Sequence, residues 1–264
     1  MYDLASLDTA LAGTIYAGHL HFSAATGSTN SDAMNAARAG APHGSVYFAD
    51  EQTAGRGRGD HEWHSAAGQG LYVSVVVRIA IESARMPLLP LAAGLAAASA
   101  VHTASGLTVD LRWPNDLLIG PRKAGGILVE SQSERGRLAF AVIGIGINVH
   151  QQNFAPNLAT PATSLDLESG RWIDRQTLLI ALLESLERET RSLLDRDAIR
   201  TIPNRVARAS TWIKGREVAV HGPQECSGVT DGLDEHGFLR VRTASGVVQV
   251  QTGGIRAAAA GRNG

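Results

Sequence analysis

Gly144-Ile145-Gly146-Ile147-Asn148-Val149 alternates bare backbone with β-branched bulk. Successive side chains of a strand point to opposite faces, so the isoleucines line one face and the glycines leave the other flat. Asn148 ends the strand with an amide able to read a base edge; a core strand packing small residues against a helix would show the same pattern. The apolar run reaches back to Leu138, which predicts a strand over 138–147. Upstream, 124–131, 109–113, 71–78, 45–51 and 19–26 read as further strands. Helices fall between them. Ser28-Thr29-Asn30 offers a cap to the alanine-rich run ending at Ala39, 87–103 reads as a buried Ala/Leu helix, and a modest helix leads the chain as far as Leu11. Asp174 can cap a long amphipathic helix ending near Asp195. After Pro203 the texture changes. Short β segments at 217–221, 227–231, 238–242 and 247–251, with hairpin-like turns at Asp234-Glu235-His236-Gly237 and Ser245-Gly246, predict a small barrel. The division falls near Ser210, giving domains 1–209 and 210–264.

Bulk properties narrow the class. Hydrophobic residues make up 44% of 264, enough for one large core and a small appended domain. The net charge of -1 builds in no global pull toward nucleic acid or acidic membranes. The lone Cys226 rules out an intramolecular disulfide framework and fits a reducing compartment. No apolar run reaches membrane-span length, and the first residues lack a secretory signal, so a cytoplasmic protein is expected.

Three more segments carry chemistry. Gln52-Thr53-Ala54-Gly55-Arg56-Gly57-Arg58-Gly59 opens a loop over 52–69, long for a connection. Its glycines leave backbone amides open and its arginines bring guanidinium forks, both suited to phosphate or carboxylate. A solvated flexible loop has the same composition. No helix follows directly and no Gly-Lys-Ser/Thr ending is present, so it is neither a dinucleotide fingerprint nor a Walker loop. In Arg112-Trp113-Pro114-Asn115-Asp116 the proline steadies two polar residues. Asp116 can then hold Mg²⁺ through oxygen and Asn115 can bond phosphate or ribose, with an Asx turn as the plain alternative. In Arg122-Lys123-Ala124-Gly125-Gly126 the lysine can aim a point charge into a site and the glycines let a ligand approach. Lysines beside turns are more often simply exposed.

Taken in order, these segments closely resemble the biotin–protein ligase family. The match runs through Gly27-Ser28-Thr29-Asn30, the loop from Gln52 to Arg58, Trp63, Trp113-Pro114-Asn115-Asp116, Arg122-Lys123 with Gly126-Ile127-Leu128, and Gly146-Ile147-Asn148. It covers most of residues 20–150. The resemblance implies an α+β fold of the class II synthetase type: a mixed, largely antiparallel sheet with packed helices, then an SH3-like barrel. It implies an ATP-dependent enzyme that makes biotinyl-5'-AMP and passes biotin to a lysine of a biotin carboxyl carrier domain, from acetyl-CoA carboxylase or a related carboxylase. Residue by residue, it assigns biotin to Ser28, Thr29, Asn30, Gln52, Gly55, Arg56, Gly57, Arg58 and Lys123, with Lys123, Arg56 and Arg58 carrying catalysis. Nucleotide contacts fall to Trp63, Arg112, Asn115, Asn148 and Arg256, and Mg²⁺ to Asp116.

Departures from the family pattern carry their own expectations. Arg112 stands where a lysine is usual, which suggests a role any cation can fill. Gly59-Asp60-His61-Glu62 replaces further basic residues after Arg58. About twenty residues precede the matched region, too few for a helix-turn-helix domain, so no DNA partner is expected; a homodimer stays open. A lipoate ligase or octanoyltransferase of the same fold is the alternative. A non-catalytic nucleic-acid-binding protein is disfavoured by the near-neutral charge.

Overall fold

The computed structural model describes residues 2–59 and 61–258. Seven strands form one sheet: β1 (Leu20–Thr26), β2 (Val46–Gln52), β3 (Gly70–Val77), β4 (Asp110–Arg112), β5 (Asp116–Ile119), β6 (Arg122–Glu134) and β7 (Arg137–Asn148). Their order is β1-β2-β3-β7-β6-β5-β4, and only the β1–β2 pair is parallel. The mixed, largely antiparallel sheet is therefore as expected. Strand β5 was not expected: Asp116 begins a strand rather than ending a turn, and pairs with Gly126 of β6.

The alternation read in the sequence decides which face is which. Val73, Val75, Ile143, Ile145 and Ile147 join the large core, covered by the helices α3 (Leu88–Ser105) and α5 (Arg175–Ser192). Val76, Phe140 and Val142 on the other face meet Ala33, Met34 and Ala37 of α2 (Thr29–Arg38). Helix α1 (Leu4–Ala10) leans on α5. Among the described helices α3 alone has the length and apolarity of a membrane span. Instead it packs in the core, with Ala92, Ala93, Ala96, Ala97 and Ala100 all buried, and Gly106 closes it in the left-handed conformation at φ 76°.

Two helices escaped the sequence reading, α4 (Leu165–Ser169) and α6 (Ala198–Arg208). Pro203 lies inside α6. The helix absorbs the lost backbone bond because Ile199, Ile202, Pro203 and Val206 recur at helical spacing and are all buried.

A second sheet begins at Lys214: β8 (Lys214–His221), β9 (Cys226–Leu233), β10 (Leu239–Thr243), β11 (Gly246–Val250) and β12 (Gly254–Ala257). Its order is β11-β10-β9-β8-β12, antiparallel throughout. The expected barrel is corrected to an open sheet. Closure requires the two edge strands to bond each other, and β12, a strand absent from the sequence reading, pairs with β8 while β11 stays on the far edge. The second sheet and the connection leading to it are tied to the first sheet at several points. Trp113 Nε1 donates to Gly237 O at 3.0 Å, Leu111 N to Ala209 O at 3.0 Å, and Thr211 N to Asp110 Oδ1 at 2.8 Å.

Candidate active site

The glycine face of β7 is the floor of a cleft of about 1040 Å³ whose walls include both sheets and the 52–69 loop. Register orders the floor into rows. Ser74, Gly144 and Leu128 lie side by side; then Tyr72, Gly146, Gly126 and Asp116; then Gly70 and Asn148. Rows two residues apart are separated by roughly 7 Å. Each glycine makes room for a side chain from elsewhere. A Cβ on Gly144 would overlap the Asn30 carboxamide, and one on Gly146 would lie 2.5 Å from Trp63 Nε1.

Over the first row sits a chain of neutral hydrogen-bonding groups. Ser28 precedes α2 in an extended conformation, but its hydroxyl caps nothing and lines the cleft. Thr29 N and Oγ1 donate to Gln52 Oε1 at 2.9 and 3.0 Å, and Gln52 Nε2 donates to Ser65 Oγ at 2.8 Å. Thr29 Oγ1 also meets Ser74 Oγ at 2.9 Å, and Ser74 donates to Asn30 Oδ1 at 2.9 Å. Ser28, Thr29, Asn30 and Ser74 are all nearly inaccessible. Such a pocket is built to satisfy a small ligand with both donors and acceptors.

The second row carries charge. Lys123 Nζ bonds Asp116 Oδ1 at 2.6 Å and lies 5.6 Å from the centre of the Trp63 ring. Its backbone is pinned on both sides, Lys123 N to Pro161 O at 2.8 Å and Thr163 N to Lys123 O at 2.9 Å. Arg112 holds the other carboxylate oxygen from two nitrogens, Nε at 3.1 Å and Nη2 at 2.6 Å, and Nη2 also bonds Thr160 Oγ1 at 2.8 Å. Burial works to raise the Asp116 pKa, but Lys123 and Arg112 together outweigh it and hold the carboxyl below 3.8. A depressed folded pKa adds stability that is complete above the ordinary carboxylate value and is lost as pH falls through the folded one. Asp116→Asn should therefore flatten the pH dependence of unfolding below about pH 4, read from urea midpoints across that range.

This geometry bears on two expectations, Mg²⁺ at Asp116 and a replaceable cation at Arg112. Both Asp116 carboxylate oxygens are engaged by cations, Lys123 on Oδ1 and Arg112 on Oδ2. Arg112 contributes a fork as well as a charge. Its fork grips Asp116 and Thr160 at once, 5.3 Å from the Trp212 ring, in a side chain only 8% exposed. Arg112→Lys should cost about 1.5–3 kcal/mol, the range for hydrogen bonds to charged groups, and lower the melting temperature by several degrees. An unchanged melting curve would restore the any-cation view.

The loop is also used differently. Gly57 N donates to His61 O at 2.6 Å and Trp63 N to Gly55 O at 2.9 Å, so the loop closes on itself as a small hairpin. The glycines permit close cross-loop contact, since a Cβ on Gly55 would collide with the Trp63 carbonyl and one on Gly57 would crowd His61. Of the glycine amides in the loop, that of Gly57 is thereby taken up within the hairpin. Arg56 spends its guanidinium on Glu130 at 2.5 Å, and Arg58 bonds Thr252 Oγ1 at 2.7 Å and the Gly253 carbonyl. Arg56 thus ties the loop to β6, and Arg58 joins it to the second sheet. Asn115 Nδ2 donates to Ile127 O at 2.9 Å and Asn115 O accepts from Ile127 N at 2.9 Å, which fastens the 113–116 segment to β6. Asn148 turns its amide to Thr163 O at 3.0 Å and to Gln151. Arg256 lines the cleft from β12 with no ion-pair partner among the described residues.

Several contributors escaped the sequence reading: Ser65, Ser74, Glu130, Thr160 and the Thr252-Gly253 turn. Two left a signal. Ser74 is the one polar residue inside an otherwise apolar strand, and Glu130 is the first charge after the uncharged run 124–129 of β6.

Residues 24–148 match the Biotin/lipoate A/B protein ligase family. The bifunctional ligase/repressor BirA of Bacillus spizizenii is 40% identical over 178 residues, 67% of this chain and 55% of that protein. The chain thus spans little more than half the length of that relative. The biotin–[acetyl-CoA-carboxylase] ligase of Mycobacterium tuberculosis is 35% identical over 240 residues, 88% of this chain and 86% of that one. Among solved structures, the biotin protein ligase from Aquifex aeolicus in complex with biotin and ATP superposes with a TM-score of 0.75 at 26% identity, covering 90% of this chain and 98% of that one.

Proposed function

The chain belongs to the biotin protein ligase family, and on that premise we propose that it activates biotin with ATP and joins it to a lysine of an acceptor protein. The observation that carries this reading is the order of groups along the floor: a neutral hydrogen-bonding pocket in the first row, a pinned ammonium beside an aromatic ring in the second, and Asn148 in the third. Biotin's ureido ring, its carboxylate against the α-phosphate, and adenine follow in that sequence.

Biotin's carboxylate is a poor electrophile. In the first step one of its oxygens attacks the α-phosphorus of ATP and pyrophosphate leaves, giving biotinyl-5'-AMP. Two anions must meet, so positive charge has to be in place beforehand. Lys123 has three N–H donors and Asp116 takes one, which leaves two for the carboxylate and the phosphate. In the second step the acceptor lysine's neutral amine attacks the carbonyl carbon, the bond to AMP breaks and an amide forms. No covalent enzyme intermediate is needed, in keeping with Cys226 lying in β9 of the second sheet. The 52–69 loop, folded against the cleft, would shield the anhydride from water.

The acceptor we propose is a biotin carboxyl carrier domain of a carboxylase. A lipoyl substrate is less suited to the first row, because its dithiolane ring offers nothing to Thr29, Ser74, Asn30 and Gln52 and would leave them buried without a ligand partner. The test is incubation with ATP, Mg²⁺, biotin and such a domain, followed by intact mass, with lipoate in a parallel reaction. Gain of one biotin by the acceptor is the expected result. Gain of lipoate alone, or of nothing, would sink the reading.

A further inference from the structure

Glu130 has no part in the two steps above, yet several pieces of the site converge on it. It lies on the cleft face of β6, opposite Val142 and one row beyond Leu128. Its carboxylate receives both terminal nitrogens of Arg56, Nη1 on Oε1 at 3.1 Å and Nη2 on Oε2 at 2.5 Å. Oε2 also accepts Asn30 Nδ2 at 2.6 Å. A bidentate fork fixes the plane of the guanidinium as well as its distance. Because Arg56 lies between Gly55 and Gly57 and bridges to Glu62, that fork fastens the start of the loop to the sheet.

The same carboxylate sets a direction. It can only accept, so Asn30 must turn its NH₂ toward it and its carbonyl toward Ser74. Ser74 then has to donate to Asn30, and its oxygen is left to accept from the Thr29 hydroxyl, in which case Gln52 Oε1 keeps the Thr29 backbone N–H. We infer that Glu130 is a positioning residue for the biotin pocket, latching the loop through Arg56 and orienting Asn30, Ser74 and Thr29 through its second oxygen. The substrate side of this inference rests on the biotin reading; the latch does not. The reverse role, a stand-in anion that keeps Arg56 from the ligand, predicts effects of opposite sign.

Three proteins separate these roles: the native chain, Glu130→Gln, and the double variant Glu130→Arg with Arg56→Glu. Amide exchange across residues 55–63 is measured without ligand, biotin KM and kcat with saturating ATP, and a melting curve for each protein. Glu130→Gln should exchange faster in the loop and raise biotin KM about tenfold, with kcat within about threefold. The double variant rebuilds the ion pair in reverse, so loop protection should return. Its biotin KM should stay high, because an arginine at 130 can only donate and turns the Asn30 amide around. Unchanged loop exchange in a folded Glu130→Gln would overturn the latch. A lowered biotin KM would overturn the positioning role in favour of the stand-in anion, and recovery of KM in the double variant would remove the orienting role. A native chain that makes no biotinyl-AMP would defeat the ligase reading instead, with the latch still judged by exchange.

Discussion

Lys123→Ala is expected to slow formation of biotinyl-AMP by about two to four orders of magnitude, the scale on which one preorganised charge donor acts. The ammonium is held in place before any substrate arrives. Asp116 draws it from one side at 2.6 Å, and the backbone bonds to Pro161 and Thr163 fix where its side chain begins. A preset charge of this kind adds no reorganisation cost when the carboxylate and the α-phosphate are brought together. The fold should survive the substitution, since the side chain is 29% exposed and the strand is anchored by its backbone. Removing it does leave the Asp116 carboxylate with Arg112 alone, so a modest loss of stability is expected as well. Single-turnover adenylate formation beside a melting curve separates the two effects. Near-normal chemistry in a folded Lys123→Ala protein would end the catalytic assignment.

What the sequence revealed was the local part of this arrangement. Isoleucines and glycines alternating through 143–147 foretold both faces of β7, because strand periodicity is a property of neighbouring residues. The partners of the charged groups were out of reach for the opposite reason. Arg56 finds Glu130 across 74 positions and Arg58 finds Gly253 across 195, and no local pattern marks such a pair. Asp116 shows the same limit: nothing local announces the two cations that flank it until β5 and β6 bring Lys123 beside it. The open second sheet belongs to the same class. Hairpin turns predict neighbours, but whether the outermost strands meet depends on where a fifth strand goes. Pro203 failed differently, through a rule that burial overrode.

Gly146→Ala should weaken binding of biotinyl-AMP by about ten- to a hundredfold, roughly 1.4–2.7 kcal/mol, while leaving the core intact. The added methyl would stand 2.5 Å from Trp63 Nε1 and 2.6 Å from Cε2, distances no packed carbon tolerates. One of the two must move, and the side chain is the easier to displace. The indole belongs to a surface loop, its Nε1 has no acceptor among the described residues, and the flat floor beneath it is what sets its position. Strand β7, by contrast, is paired on both sides along its length and packs Ile145 and Ile147 into the large core. Eviction of Trp63 would reach further than one ring. It would remove the aromatic surface beside Lys123 and pull on the Gly55–Trp63 and Ser65–Trp63 bonds that close the loop. Titration with a non-hydrolysable biotinyl-AMP analogue measures the loss, and the melting temperature should change little. Native affinity in Gly146→Ala would mean that the indole can lie elsewhere without consequence, and that the glycine floor has no bearing on the nucleotide.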